Sequence, residues 1–453
     1  MSLDMSGPSE RNLAALDTGP RHDNAASIEL RTLSAEHLQL PANTQAPPAA
    51  STISQRNARI QFYALCYCLF LAGFNDGTTG PLLPRIQQNY DVGYTVVSLL
   101  FIMVCIGFVL GAVTNVQMTD KLGFGKVIVL GSLAQTIAYA ISSPPPPFPV
   151  LCLAYLINGW GLALQDALAN GYVAGLKVNA SEKMGIMHAI YGFGALCSPF
   201  LATQFDRMPR WSFHYIVTCG LSLVNTISLA AVFKGRSQEE CLRDVGETCT
   251  GNEGPAANAQ DSKYRQILRQ RTVHLLALFA LLYVGVEVTI GGWTVTFLMT
   301  YRGGGGSSGY VSSGFFGGLT LGRVALLWLN KRIGERRAIL AYGFFAICLQ
   351  LMVWLIPSLI GDAIAVSFIG LLLGPMYPIL MNQAAAILPP WLLTACIGWI
   401  AGIGTVGSAL VPFMTGALSS HFGIRSVQPF LVVAMCCMLA VWSIILRIKP
   451  RLD

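Results

Sequence analysis

Asp120-Lys121-Leu122-Gly123-Phe124-Gly125-Lys126 closes one long apolar stretch, and Lys331-Arg332-Ile333-Gly334-Glu335-Arg336-Arg337 closes another. Each is a basic loop built around a glycine, and the two glycines, Gly123 and Gly334, lie 211 positions apart. The same offset separates two acids inside apolar stretches, Asp76 and Glu287. Around them, Asp76-Gly77-Thr78-Thr79-Gly80 matches Glu287-Val288-Thr289-Ile290-Gly291 in acid, threonine and glycine. A basic loop and an intramembrane acid repeated at one offset describe a chain made of two similar halves.

Composition places both halves in a membrane. The 453 residues are 53% hydrophobic and 11% charged, whereas a soluble domain carries about 25% charged residues. The net charge of +7 does not point to nucleic acid, because the basic residues cluster in short loops between apolar spans; the lipid bilayer is the expected partner. Twelve spans begin near Ile60, Gly93, Lys126, Phe148, Glu182, Trp211, Thr272, Ser307, Arg337, Gly361, Trp391 and Ser426. Each has about 20 residues, the length that crosses ~30 Å of hydrocarbon. The expected fold is an all-α membrane protein with twelve transmembrane helices in two six-helix pseudo-repeats. Residues 1–58 read as a disordered cytosolic tail, 59–234 as the first bundle, 235–271 as a cytosolic linker, 272–448 as the second bundle and 449–453 as a cytosolic end. Gly303-Gly304-Gly305-Gly306-Ser307-Ser308 reads as a flexible turn between spans 7 and 8.

Lys and Arg set the orientation. With the N-terminus in the cytosol, 23 of the 29 basic residues fall inside and five fall outside, and Arg323 lies within span 8. Both termini are therefore expected in the cytosol, with the plasma membrane as the default location. The sequon Asn179-Ala180-Ser181 then faces the cytosol, where it goes unused. Most of the twelve cysteines lie in spans, and Cys241 and Cys249 lie in a polar loop. They form neither a disulfide framework nor a CxxC metal site. No motif of an enzyme or of a nucleotide-binding loop is present, and no cofactor or metal is expected.

An ionised side chain at mid-membrane costs roughly 3 kcal/mol even on the lenient insertion scale, so such residues mark ion or solute pathways by default. Three qualify: Asp76, Asp166 and Glu287. Asp76, next to Asn75, can exchange a proton or accept hydrogen bonds from vicinal sugar hydroxyls; the plainer alternative is an Asn-Asp-Gly helix break that bonds only nearby backbone. Asp166 and Asn170, at i and i+4, share a helix face and can hold a proton and orient a polar ligand, or else tie span 4 to its neighbour. Glu287 heads a polar stripe with Tyr283 and Thr294 and suits a titrating group, a sodium ligand or a gate, or an internal ion pair. His188 and Tyr191 share a face, but a lone histidine is more often a satisfied core residue. Asn382 or Gln383 suits hydroxyl recognition or helix pairing. Trp160, Trp293 and Trp399 are better placed as packing or interfacial anchors than as sugar platforms. Arg323, two turns from the Lys331-Arg332 cluster, is expected to snorkel towards it or pair with a loop acid, outside the site.

The Asp120–Lys126 loop resembles the loop motif of the major facilitator superfamily, with Asn115 where that family usually has Gly. Within it the chain beyond about residue 58 resembles the fucose:proton symporter group, especially its fungal members, and the sodium-dependent glucose transporters of animals. The resemblance is carried by Gly73-Phe74-Asn75-Asp76, Gln165-Asp166-Ala167-Leu168-Ala169-Asn170, Tyr283-Val284-Gly285-Val286-Glu287 and Gly374-Pro375-Met376-Tyr377-Pro378. It implies sugar binding for Asp76. It implies proton transfer for Asp166, a shorter acid than the glutamate usual there. The expected protein is a secondary active transporter of a small polar solute such as a monosaccharide, coupled to protons, with sodium as the other candidate ion. Asn75, Asp76, Asn170 and Asn382 form the expected solute set, and Asp166 and Glu287 the ion-coupling set. Export of a fungal metabolite or drug, and nutrient sensing without transport, are the alternatives.

Overall fold

The structure, a computed structural model, describes residues 52–176, 179–245 and 265–448. The expected tail up to residue 51, the linker residues 246–264 and the end 449–453 lie outside the described residues. Within them the long helices are α1 Thr52–Tyr90, α2 Tyr94–Leu122, α3 Phe124–Ser142, α4 Phe148–Ala174, α5 Ala180–Asp206 and α6 Phe213–Phe233. The second half holds α7 Arg271–Tyr301, α8 Tyr310–Ala325 continued by Leu327–Ile333, α9 Glu335–Leu355, α10 Leu359–Ile387, α11 Pro390–Phe422 and α12 Val427–Ile445. Ten helices among the described residues are long and apolar enough to span on their own, and the two pieces of α8, bent by 55°, make an eleventh. The twelfth is α1, which has 39 residues but is diluted by Asn75, Asp76, Thr78 and Thr79.

Local chemistry sets the breaks. Pro149 lies in the first turn of α4, where its missing N–H costs nothing. Gly374-Pro375 interrupts α10 between Leu373 and Met376. The two loop glycines of the repeat adopt nearly the same backbone: Gly123 has φ +84° and Gly334 has φ +89°. Only glycine takes that region without strain. The repeat seen in sequence is therefore also a repeat of turn geometry.

Glycine also lets the helices of each half pack closely. A Cβ at Gly73 of α1 would lie 1.8 Å from the Tyr191 carbonyl of α5, and one at Gly194 would lie 2.1 Å from the Phe70 carbonyl. In the second half α7 meets α11 in the same way, with Gly407 against the Leu281 carbonyl.

Three expectations change. Residues 52–58, assigned to the tail, begin α1. Part of the expected linker is a short helix, Gln238–Asp244, with a Ser237/Glu240 capping box and an Arg236–Asp244 ion pair. Its Cys241, expected in a polar loop, is buried, which pushes the thiol above its ordinary range and keeps it unreactive. The glycine-rich turn between α7 and α8 is seated, because Gly306–Gly309 forms a 3-10 turn whose Gly309 lies against Thr203.

Thr52 and Ile448 mark one face of the bundle, called terminal here, and the other face is distal. The halves meet from mid-bundle to the distal face. Gly80 crosses Gly291, Phe101 packs on Trp293, Thr95 donates to Ser420 Oγ at 2.8 Å, and Arg207 lies over the Tyr310 ring. At the terminal face two hydrogen bonds among the described residues join loops within one half. Gly125 N donates to Arg236 O at 2.8 Å, and Arg336 donates to Ile448 O at 2.7 Å.

Candidate solute-binding site

Two adjoining cavities of about 310 and 460 Å³ lie between the halves, in the size range of small-molecule sites. Asp76, Phe108, Leu162, Tyr191, Arg323 and Tyr377 line both. Asn75, Thr79, Tyr155, Tyr283, Glu287 and Ser408 add to the first, and Asp166 and His188 to the second. All three intramembrane acids thus face one continuous space, two from the first half and one from the second.

Asp76 is exposed to the cavity although it sits deep in the bundle. Its Oδ2 accepts from the Tyr191 hydroxyl at 2.5 Å, and its Oδ1 accepts from Asn75 Nδ2 at 3.2 Å. Tyr139 and Asn158 both donate to Asn75 Oδ1, at 3.0 and 2.7 Å. Two donors on that oxygen fix the amide orientation and turn Nδ2 towards Asp76. Helices α1, α3, α4 and α5 therefore hold one carboxylate jointly.

Asp166 Oδ1 accepts from Asn170 Nδ2 at 2.9 Å, and Asn170 Oδ1 lies 3.1 Å from His188 Nε2. The i, i+4 spacing read from sequence is realised, with Asn170 serving the carboxylate and the histidine rather than lining either cavity. Glu287 stands on the opposite wall beside Tyr283.

Asn382 is not part of this constellation. It donates to Glu335 Oε1 at 2.9 Å, and Gln383 donates to Oε2 at 3.1 Å, at the first turn of α9. The break at Gly374-Pro375 leaves Tyr377 on the cavity wall, and the helix after it runs to the terminal loop. Arg323 also departs from expectation. It lines both cavities instead of reaching the basic loop, because α8 bends by 55° between it and Lys331. Of the tryptophans, Trp293 is fully buried and donates to Pro412 O, and Trp160 donates to Thr114 Oγ1. Both pack helices, as expected. Sequence reading missed Tyr155, Tyr377 and Ser408 as cavity residues. Tyr377 stood in the quoted Gly-Pro-Met-Tyr-Pro motif; the other two carried no signal.

Residues 65–390 match the family model of the Major Facilitator Superfamily, and the chain belongs to that superfamily. It is 25% identical to Bypass of stop codon protein 6 of Saccharomyces cerevisiae, over 97% of this chain and 91% of that protein. It is 24% identical to the Glucose/galactose transporter of Brucella abortus biovar 1 (strain 9-941), over 88% of this chain and 96% of that one. The fold matches the solved structure of a bacterial homolog of the human lysosomal transporter Spinster in an inward-facing, unoccupied conformation. The TM-score is 0.69 at 14% identity, covering 89% of this chain and all of that one. The protein is a multi-pass membrane transporter and not an enzyme.

Proposed function

We propose that this transporter moves a small hydroxylated solute of monosaccharide size by alternating access, driven by protons. The observation that carries the reading is the meeting of Asp76, Asp166 and Glu287 on one cavity between the halves. Carboxylates at that depth are costly unless they serve a pathway. Asp76, oriented by Tyr191 and Asn75, accepts from solute hydroxyls. Asp166 takes the coupling proton; its neutralisation removes a buried charge and lets the loaded halves rock, with Glu287 as the acid of the second half. The size of the solute is supported by the name of the Brucella relative, which carries glucose and galactose. The basic loops support a cytosolic terminal face; with that orientation the contacts between the halves close the outside and the cavity opens inward. The plasma membrane is the proposed location.

Uptake of labelled D-glucose and D-galactose into proteoliposomes, with and without an inward proton gradient, tests the reading. Accumulation that follows the gradient supports it. Equal uptake in the presence and absence of the gradient removes proton coupling.

A further inference from the structure

We propose that Arg323 is the anion-binding arm of the solute site, and that the solute is a hydroxylated carboxylate of monosaccharide size, a sugar acid. The proposal rests on the cavity being the solute site. Arg323 stands on the wall that the two cavities share. The ion pairs among the described residues join Arg236 to Asp244 and Arg302 to Asp362, and neither involves Arg323. Its Nε is buried without a hydrogen-bond partner.

The Nε atoms of Arg85 and Arg336 are also buried without a partner, but Arg85 donates from Nη1 to Gln88, and two arginines of the second half are held by hydrogen bonds. Arg302 donates to Asp362 and to the Val353 carbonyl, and Arg336 donates to the carbonyls of Ile445 and Ile448. Among the described residues Arg323 is the arginine that lines the two cavities, and no hydrogen bond ties it to a neighbour. The acids of the first half already have donors, Asp76 from Tyr191 and Asn75, and Asp166 from Asn170. One wall therefore offers engaged acceptors, suited to hydroxyls. The other offers a planar guanidinium fork, whose complement in plane and charge is a carboxylate. Glu287, on the same half, is near enough for its charge to interact with that of Arg323, but it makes no ion pair with it within 4.0 Å, so it leaves the fork's hydrogen-bond donors open. Three carboxylates and one guanidinium sum to −2, so each proton taken up by the acids favours the anion, and the bound anion favours proton uptake in return.

The test pairs solutes that differ only in the acid group. Purified full-length protein is titrated with D-glucose against D-glucuronate, and D-galactose against D-galacturonate, at one mildly acidic pH. At least one acid should bind 10-fold or more tighter than its neutral partner. Arg323→Gln should weaken that acid by roughly 10- to 150-fold, as expected for a lost hydrogen bond to a charged group, and the neutral sugar by a smaller factor, so that the ratio between the two falls. Arg323→Lys should recover part of the loss. Should Arg323→Gln fail to fold, the ratio of acid to neutral sugar in the unsubstituted protein still decides. Binding of a neutral sugar in preference to its acid overturns the anion assignment and leaves the monosaccharide reading standing. Equal loss for every solute in Arg323→Gln also overturns it and makes Arg323 a positioning charge. Binding of none of the four solutes removes both readings.

Discussion

Gly80 and Gly291 bring α1 and α7 together across the two halves, and this crossing should bias the transport equilibrium. A Cβ at position 80 would lie 2.0 Å from the Gly291 carbonyl oxygen and 3.2 Å from Ser312 Oγ. The first contact is with backbone, so the helices must move apart to admit a methyl group. Overpacking of this kind costs typically about 1–3 kcal/mol. Because α1 and α7 belong to different halves, rocking to the opposite state relieves the clash. Gly80→Ala should therefore disfavour the distal-closed state by about 1–3 kcal/mol, a shift of roughly 5- to 150-fold in the ratio of states. Ser408, on α11, lines the cavity, so Ser408→Cys reports access from the distal face to a membrane-impermeant thiol reagent. While the distal-closed state predominates, the labelling rate follows the open fraction and should rise by that same factor. Gly73→Ala is the control: its Cβ would lie 1.8 Å from the Tyr191 carbonyl, within one half whose helices move together. It should lower thermal stability without raising the labelling rate. An unchanged rate in folded Gly80→Ala, or an equal rise in Gly73→Ala, would refute the assignment of this crossing to the seal between the halves.

Asp166→Asn keeps an acceptor for Asn170 but cannot titrate. In proteoliposomes with a gradient of about 1.5 pH units, one proton per solute supports roughly 30-fold accumulation; the variant should fall to equilibration yet keep counterflow. Asp76→Ala removes the acceptor held by Tyr191 and Asn75 and should weaken solute binding by roughly 10- to 150-fold, measured by equilibrium titration. A Cβ at Gly123 would meet no atom within 4 Å, but Gly123→Leu must adopt φ +84°, a strain of about 1–3 kcal/mol. Transport should slow while solute affinity holds, and an affinity that falls with the rate would place the loop closer to the cavity than it is.

What was legible in the sequence is what composition and spacing encode along the chain. The offset shared by Gly123 with Gly334 and by Asp76 with Glu287 gave the two halves. The intramembrane acids all reached the cavity because a charged group inside an apolar span has few other places to go. The partners that hold those acids were less legible, because they come from other helices. Tyr191 reaches Asp76 across 115 positions, and Asn158 reaches Asn75 across 83; no local pattern couples them.

Asn382 and Arg323 misled for a related reason. Depth along a helix can be read from its distance to a loop, at 1.5 Å per residue, but only while the helix stays straight. Arg323 lies about two turns from Lys331, close enough on a straight helix for its side chain to reach the basic cluster. The 55° bend between the two pieces of α8 separates them and leaves the guanidinium on the cavity wall. Asn382 follows the Gly374-Pro375 break, and the helix beyond it carries the amide to Glu335 at the terminal loop. Both departures change the chemistry in one direction. A neutral amide leaves the expected site and a cation enters it, so a pocket read from sequence as a polyol site gains a group that demands an anionic acceptor.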